Sequence, residues 1–211
     1  MNFLKLVSIN PFYSLGIFLI IAQIFIFSAV LHDPSVAIFL LWSCNNFCIF
    51  LAYACYKKDM QMIKGISYLG LVSQILWILD FSSQSLGFNL SGVADYIFLE
   101  GFTYANEVSI GVHMVVPIAV LLFSVAIKPT YRSLLVALPY ILFLYIATIV
   151  FTPPSEDINC VFLGCGNITY LPYNIFLWPL YATISTLIAY GIHLVLYYGW
   201  IKTGVFLRHT F

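Results

Sequence analysis

Long apolar runs, separated by short polar gaps, fill most of this chain. Six runs are about 20 residues long, the length that an α-helix needs to cross the hydrocarbon layer of a bilayer. They lie at about 11–31, 36–56, 66–86, 107–127, 133–152 and 172–199. The pattern predicts a single all-α domain over residues 1–211, folded as a six-transmembrane-helix bundle. The short gap at 128–132 predicts that the fourth and fifth helices pack antiparallel.

The basic residues fall only at the chain ends and in alternate gaps between these runs. They are Lys5, Lys57, Lys58, Lys64, Lys128, Arg132, Lys202 and Arg208. Lys and Arg in short loops are retained on the cytoplasmic side during insertion, so the gaps that carry them are predicted to face the cytoplasm. Most acidic residues lie in or beside the other gaps. Both the N- and the C-terminus are therefore predicted to be cytoplasmic.

Composition agrees with a membrane protein, because 63% of residues are hydrophobic and only 8% are charged. Ordinary soluble domains contain about 25% charged residues. We expect an integral protein of a plasma or inner membrane, or of the endoplasmic reticulum. Its expected partners are membrane lipids and an apolar small-molecule substrate. A basic run or a Gly-rich phosphate loop is lacking, so nucleic acid is not an expected partner.

Two ionisable residues, Asp80 and His113, lie inside predicted helices at the same depth in the outer half of the membrane. An ionisable group there costs several kcal/mol unless it is paired or hydrated, so it suggests a functional site. The catalytic hypothesis makes His113 a general base, Asp80 the carboxylate that orients it, and Ser43 or Cys44 the nucleophile. The alternative is that Asp80 and His113 only hold helices together.

Other polar and aromatic side chains are predicted to meet at the same level and to line an outward-facing pocket. The candidate binding residues are Asn45, Asn46, Trp77, Gln84, Tyr145 and Thr148. Zinc needs three or four ligands together, and His193 lies near the opposite face, so neither a metal nor a cofactor is predicted. In the second outer gap, Cys160 and Cys165 are candidates for a disulfide.

The fourth and fifth runs contain Val112-His113-Met114-Val115-Val116-Pro117, Lys128-Pro129, Leu138-Pro139-Tyr140, Leu144-Tyr145-Ile146 and Thr148. This series resembles the androgen-induced-gene and FAR-17a-like (Pr6Pr) membrane proteins, which are six-helix bundles. The characterised animal members of that family hydrolyse fatty acid esters of hydroxy fatty acids, with a threonine nucleophile on the second helix and a histidine on the fourth. The resemblance implies that His113 matches the family histidine. Ser43 stands where the family would show threonine.

A second series consists of Leu76-Trp77-Ile78-Leu79-Asp80-Phe81, Asp95-Tyr96-Ile97-Phe98, the segment at 113–117 and Asp157-Ile158-Asn159-Cys160-Val161-Phe162. It is similar to bacterial polytopic membrane proteins without a known activity. Only the first resemblance implies an activity, so the leading hypothesis is hydrolysis of a lipid ester by a Ser/His mechanism. The alternative is a non-enzymatic protein that binds or transports a lipid or another small molecule, or assembles a membrane complex.

Overall fold

A computed structural model describes residues 10–100, 103–125, 127–156, 158–162 and 175–202. All regular structure within these ranges is helical, so the predicted all-α class is confirmed for the part of the chain that is described. The α-helices are α1 (Pro11–His32), α2 (Ser43–Lys57), α3 (Met60–Ser85), α4 (Asp95–Glu100), α5 (Tyr104–Val125), α6 (Arg132–Phe151) and α7 (Trp178–Lys202).

Five stretches are long and apolar enough to cross a membrane: α1, α3, α6, the part of α5 over Tyr104–Leu122, and Ile175–Gly199, which contains most of α7. Their outward surfaces are covered with large apolar side chains. Leu122, Val150 and Val195, for example, are 65%, 63% and 73% exposed. Exposure of so large an apolar surface to water is unfavourable, whereas contact with lipid acyl chains is not. The chain is thus built as a multi-pass membrane protein.

The predicted second helix at 36–56 is not continuous in the structure. Pro34–Leu41 forms a 3₁₀ helix, and α2 begins only at Ser43. Between them, Trp42 has an extended backbone with φ −57° and ψ 133°. The Asn159 side chain donates to Leu41 O and accepts from Ser43 N, so these backbone groups are satisfied from outside the helix. The expectation of a single uninterrupted helix here was wrong for that reason.

Helix α3 lies in the centre of the bundle and packs against α2, α5, α6 and α7. Small residues allow its close contacts: a Cβ at Gly65 would lie 2.5 Å from Ser133 O, and one at Gly70 would lie 2.8 Å from the ring of Phe47. Because α3 packs against both α5 and α6, those two helices scarcely touch each other. The fourth and fifth helices therefore run antiparallel, as predicted, but the predicted direct packing between them is not formed.

The bundle has two ends that differ in chemistry, and both are named here for use below. At the cavity end, α1 and α3 finish while α2 and α5 begin. At the basic end, α2 and α5 finish while α3 and α6 begin, next to Lys57, Lys58, Lys64, Lys128 and Arg132. At the basic end, Asp59 is the N-cap residue of α3. Its Oδ1 accepts hydrogen bonds from the backbone amides of Gln61 and Met62.

Candidate ligand-binding site

A cavity of about 680 Å³ opens at the cavity end between α1, α2, α3 and α5. This volume falls within the range of about 300–1,000 Å³ that is usual for small-molecule sites. Its walls combine apolar and aromatic side chains with a few polar groups. The polar and aromatic lining residues include Trp42, Asn45, Trp77, Tyr96, Tyr104, Asn106, Ser109 and His113. A molecule with both an apolar and a polar part would find partners for each.

His113 lines this cavity and is buried, with only 3% of its surface exposed. Its Nδ1 lies 2.7 Å from Ser109 O, one turn earlier on α5. Because a carbonyl oxygen can only accept, Nδ1 carries the proton of this hydrogen bond. In the neutral ring, Nε2 then keeps its lone pair. The opposite edge of the imidazole, which is turned away from the backbone of α5, is thus a hydrogen-bond acceptor or a base.

Trp77 holds the face of that imidazole. The two ring centroids are 4.3 Å apart in a stacked arrangement, and Phe81 stacks on Trp77 at 5.1 Å. Trp77 Nε1 donates to Tyr96 OH at 3.1 Å, and Tyr96 OH lies 2.8 Å from Ser109 Oγ. The chain of contacts returns to α5 beside His113. These hydrogen bonds and ring contacts hold the side chains of this wall in position.

The charge at the cavity mouth is negative. Asp33 lines the cavity, is exposed, and accepts from the hydroxyl of Ser35 at 2.6 Å and from its amide at 3.0 Å. These hydrogen bonds lower the pKa of the Asp33 carboxyl below its usual value. The lining residues that the structure describes include no Lys or Arg. The cavity therefore favours an uncharged or cationic group over a carboxylate or a phosphate.

Asp80 does not orient His113, contrary to the catalytic hypothesis. Its side chain is fully buried and accepts at Oδ1 from the amides of Ser91 and Gly92, at 2.6 and 3.1 Å. At Oδ2 it accepts from the amide of Ala94 and from Gln84 Nε2, at 2.8 and 2.9 Å. Both oxygens are occupied by the loop before α4, so Asp80 is an anchor of that loop.

Ser43 does not reach the cavity either. Its amide donates to Asn159 Oδ1 at 2.6 Å, and its hydroxyl lies 3.5 Å from Ser73 Oγ. The cavity lining includes the neighbouring Cys44 but not Ser43. The three residues proposed for catalysis are thus found in three separate environments, and the hydrogen-bonded Ser-His-Asp arrangement is not formed.

The predicted binding residues divide into two groups. Asn45 and Trp77 line the cavity. The other four lie outside it: Gln84 donates to Asp80 and Asp95, Asn46 accepts from Tyr140 OH, Tyr145 stacks on Trp178, and Thr148 accepts from Asn159. Apart from Gln84, these side chains belong to a second polar cluster, at the bend between the 3₁₀ helix and α2.

Comparison of the chain with protein-family models, with functionally described proteins and with solved structures finds no match. The family resemblance of the fourth and fifth helices therefore stays a prediction. What the site can do has to be argued from its own geometry.

Asn159 is one residue that sequence reasoning missed, as it missed the cavity residues Trp42, Tyr96 and Asn106. Besides its bonds to Leu41 and Ser43, its Nδ2 lies 3.1 Å from Thr148 Oγ1 and its carbonyl accepts from Trp178 Nε1 at 2.7 Å. It has a positive φ of 56°, which Asn tolerates better than most residues. The signal available in the sequence was a polar residue next to Cys160. Its partners on α2, α6 and α7 could not be inferred, because they are distant along the chain.

The cysteines divide as the topology suggested. Cys44, Cys48 and Cys55 on α2 are buried and free, whereas Cys160 is disulfide-bonded. Cys165, its predicted partner, lies outside the described residues. Among the residues whose placement is described, we find no group of three or more His, Cys, Asp or Glu that could hold a metal ion.

Proposed function

We propose that this chain is a six-helix integral membrane protein with both ends in the cytoplasm, and that its cavity binds an amphipathic molecule from the outer leaflet. The sixth crossing would be made by Pro34–Leu41 together with α2. At about 2.0 Å per 3₁₀ residue and 1.5 Å per α-helical residue, the two helical pieces add up to about 38 Å of length along the chain, measured through the bend at Trp42. This length exceeds the thickness of the hydrocarbon layer of a bilayer, which is about 30 Å.

The observation that carries the binding function is the state of His113. Its Nδ1–H donates to Ser109 O, its ring stacks on Trp77, and its Nε2 is left as an acceptor for a ligand in the cavity that His113 lines. A ligand hydroxyl or amide could donate to Nε2, while the aromatic walls hold its apolar part. With Asp33 at the mouth and no Lys or Arg among the lining residues that the structure describes, we expect the ligand head to be uncharged or cationic.

Ester hydrolysis is the second candidate, and the same imidazole supports it. Nε2 could take a proton from a water molecule that attacks the carbonyl of a bound ester. This version needs no serine nucleophile, which suits the distant environment of Ser43. It ranks second because no described carboxylate bonds to His113 and so none stabilises the imidazolium that would form.

The test is photo-crosslinking of the purified chain in nanodiscs with clickable probes of one acyl length that carry a glycerol, a choline or a carboxylate head. We expect the glycerol and choline probes to label cavity residues more strongly than the carboxylate probe. His113→Ala should weaken labelling about tenfold, as expected for losing one hydrogen bond in a buried site. The matched control is Val115→Ala, an exposed position on the same helix.

Equal labelling of His113→Ala and the natural chain would contradict the binding proposal. Release of fatty acid from an ester probe distinguishes the two candidates. Release that is lost in His113→Ala but kept in Ser43→Ala would support water attack with His113 as the base. Release lost in both variants, together with labelling of Ser43 by a lipid-like fluorophosphonate, would restore the serine mechanism.

A further inference from the structure

A second, smaller depression lies on the side of the bundle between α2, α3 and α6. It has a volume of about 370 Å³, and its lining includes Phe50, Met62, Ile66, Leu135, Pro139 and Phe143. Every lining residue is apolar or aromatic, and Phe50 packs edge-on against Phe143 at 5.5 Å. The groove spans about 12 Å along α6 from Leu135 to Phe143, at 1.5 Å per residue. It therefore runs along the apolar body of the bundle, where its natural solvent is lipid.

One end of this groove lies near the basic end, because its lining residues Met62 and Leu135 are close to the starts of α3 and α6. The connections there carry Lys57, Lys58, Lys128 and Arg132, with Asp59 as the one acid between α2 and α3. The carboxylate of Asp59 caps α3 through two backbone amides. This leaves an excess of positive charge beside an apolar groove.

Lys64 adds to this charge from inside the protein. It is 1% exposed, and its Nζ donates to Lys128 O at 2.8 Å and to Thr130 Oγ1 at 3.2 Å. Both partners are neutral oxygens, so the ammonium is hydrogen-bonded but its charge is not neutralised by contact. A buried cation of this kind stabilises an anion placed at the nearby surface.

Arg132 connects the charge with the groove. It is exposed at the first residue of α6 and lies three and four residues before Leu135 and Val136, which both line the groove. Residues at these spacings share one face of a helix. The guanidinium therefore sits one turn beyond the groove, toward the basic end, in the place where a lipid headgroup would follow its acyl chain.

We propose that the groove between α2, α3 and α6 binds one acyl chain of an anionic phospholipid, and that Arg132 pairs with the net negative charge of its headgroup, which a zwitterionic lipid lacks. The apolar lining selects a hydrocarbon chain, and the basic end selects a negative head. This site is separate from the cavity near His113, which lies at the opposite end and favours uncharged or cationic molecules.

The experiment is native mass spectrometry of the full chain in detergent, titrated with phosphatidylglycerol and with phosphatidylcholine of identical acyl chains. We expect the natural chain to retain phosphatidylglycerol about fivefold more tightly, as one basic contact near a headgroup would give. Arg132→Gln should remove this preference, whereas Arg132→Lys should keep most of it. Leu135→Trp should weaken both lipids by filling the groove.

The matched control is Leu138→Trp, since Leu138 lies one turn from Leu135, is 46% exposed and does not line the groove. It should leave both affinities unchanged. Equal retention of the two lipids by the natural chain would overturn the proposal. It would also be overturned if Leu135→Trp had no effect, because binding would then be charge attraction without a seated acyl chain. Size-exclusion profiles identify any variant that has misfolded, and Leu135→Phe then replaces Leu135→Trp.

Discussion

Helix α3 carries one buried charge near each of its ends, and the two charges have opposite signs. Near the cavity end, the buried acid Asp80 is surrounded by the amides of Ser91, Gly92 and Ala94. Near the basic end, the buried base Lys64 donates to Lys128 O and Thr130 Oγ1. In each case a connection supplies the polarity that the charge needs. A buried charge here thus marks a loop attachment and does not need an opposite charge.

The helix dipole would have favoured the reverse arrangement. Negative charge is stabilised near the N-terminus of a helix and positive charge near its C-terminus. Asp80 lies toward the C-terminus of α3 and Lys64 toward its N-terminus. The tertiary partners therefore outweigh the local preference. The consequence is that the ends differ in net charge, and this difference separates the proposed ligands of the cavity and the groove.

The largest effect should follow the loss of the acid at the cavity end. Asp80→Ala leaves three amides near or in the core without an acceptor, at about 1–3 kcal/mol each. We expect the free energy of unfolding in detergent to fall by about 3 kcal/mol or more, measured by tryptophan fluorescence on heating. Ser85→Ala, an exposed change on the last turn of α3, is the control. Equal unfolding temperatures for the two variants would show that Asp80 does not anchor the loop.

Asn159→Ala should destabilise the bend before α2 by about 2–3 kcal/mol, because Ser43 N and Leu41 O both lose a buried partner. Asn159→Gly separates the causes, since glycine accepts the positive φ but has no side chain. If Asn159→Gly is as stable as the natural chain, the backbone conformation alone sets the bend. The same thermal assay measures both variants.

Gly65→Ala tests the packing at the basic end. Its new Cβ would lie 2.5 Å from Ser133 O and 2.9 Å from Val136 Cβ, so α3 and α6 must move apart. We expect a loss of about 1–3 kcal/mol in the unfolding free energy, as overpacking usually costs. Gly111→Ala, with nothing within 4 Å of its Cβ, should be neutral or slightly stabilising. Equal melting of the two variants would contradict the close contact.

The smallest effect is expected at the exposed acid of the basic end. Asp59→Ala removes an N-cap that accepts from Gln61 and Met62, which typically costs about 1 kcal/mol. Asp59→Asn should retain most of the stability, because its side-chain oxygen can still accept. If Asp59→Ala lowered the free energy of unfolding as much as Asp80→Ala, the distinction between an exposed cap and a buried anchor would be contradicted.

Much of the architecture was predictable because it depends on local composition. Apolar runs set the positions of α1, α5 and α6 and the ends of α3 and α7 to within a few residues. Helix α7 starts at Trp178 and not at the predicted 172, and α3 starts at Met60 and not at 66. That helix begins earlier than predicted because the cap at Asp59 outweighs the polar character of its first turn. Counting residues along its helix placed His113 in the outer half of the membrane as a candidate site residue. In the structure, His113 lines the cavity.

The partners of the polar side chains were not predictable from spacing. Asp80 and His113 do lie near one level of the bundle, but shared depth does not fix the direction of a side chain. Asp80 points to the loop before α4, which brings three amide donors beside Gln84 Nε2 of α3, while His113 turns to the backbone of its own helix. The bend at Trp42 likewise depends on Asn159, more than 100 residues later in the chain.

The sequence by itself determined that this chain is helical, apolar and charged differently at alternate gaps. Hydrophobicity and short-loop charge act locally, so a single sequence carries them. Only the tertiary structure decided that the buried acid serves a loop, that Ser43 lies away from the cavity, and that an apolar groove ends near Arg132. Hydrogen bonds and cavities join residues that are distant along the chain, and their geometry exists only after the helices have packed.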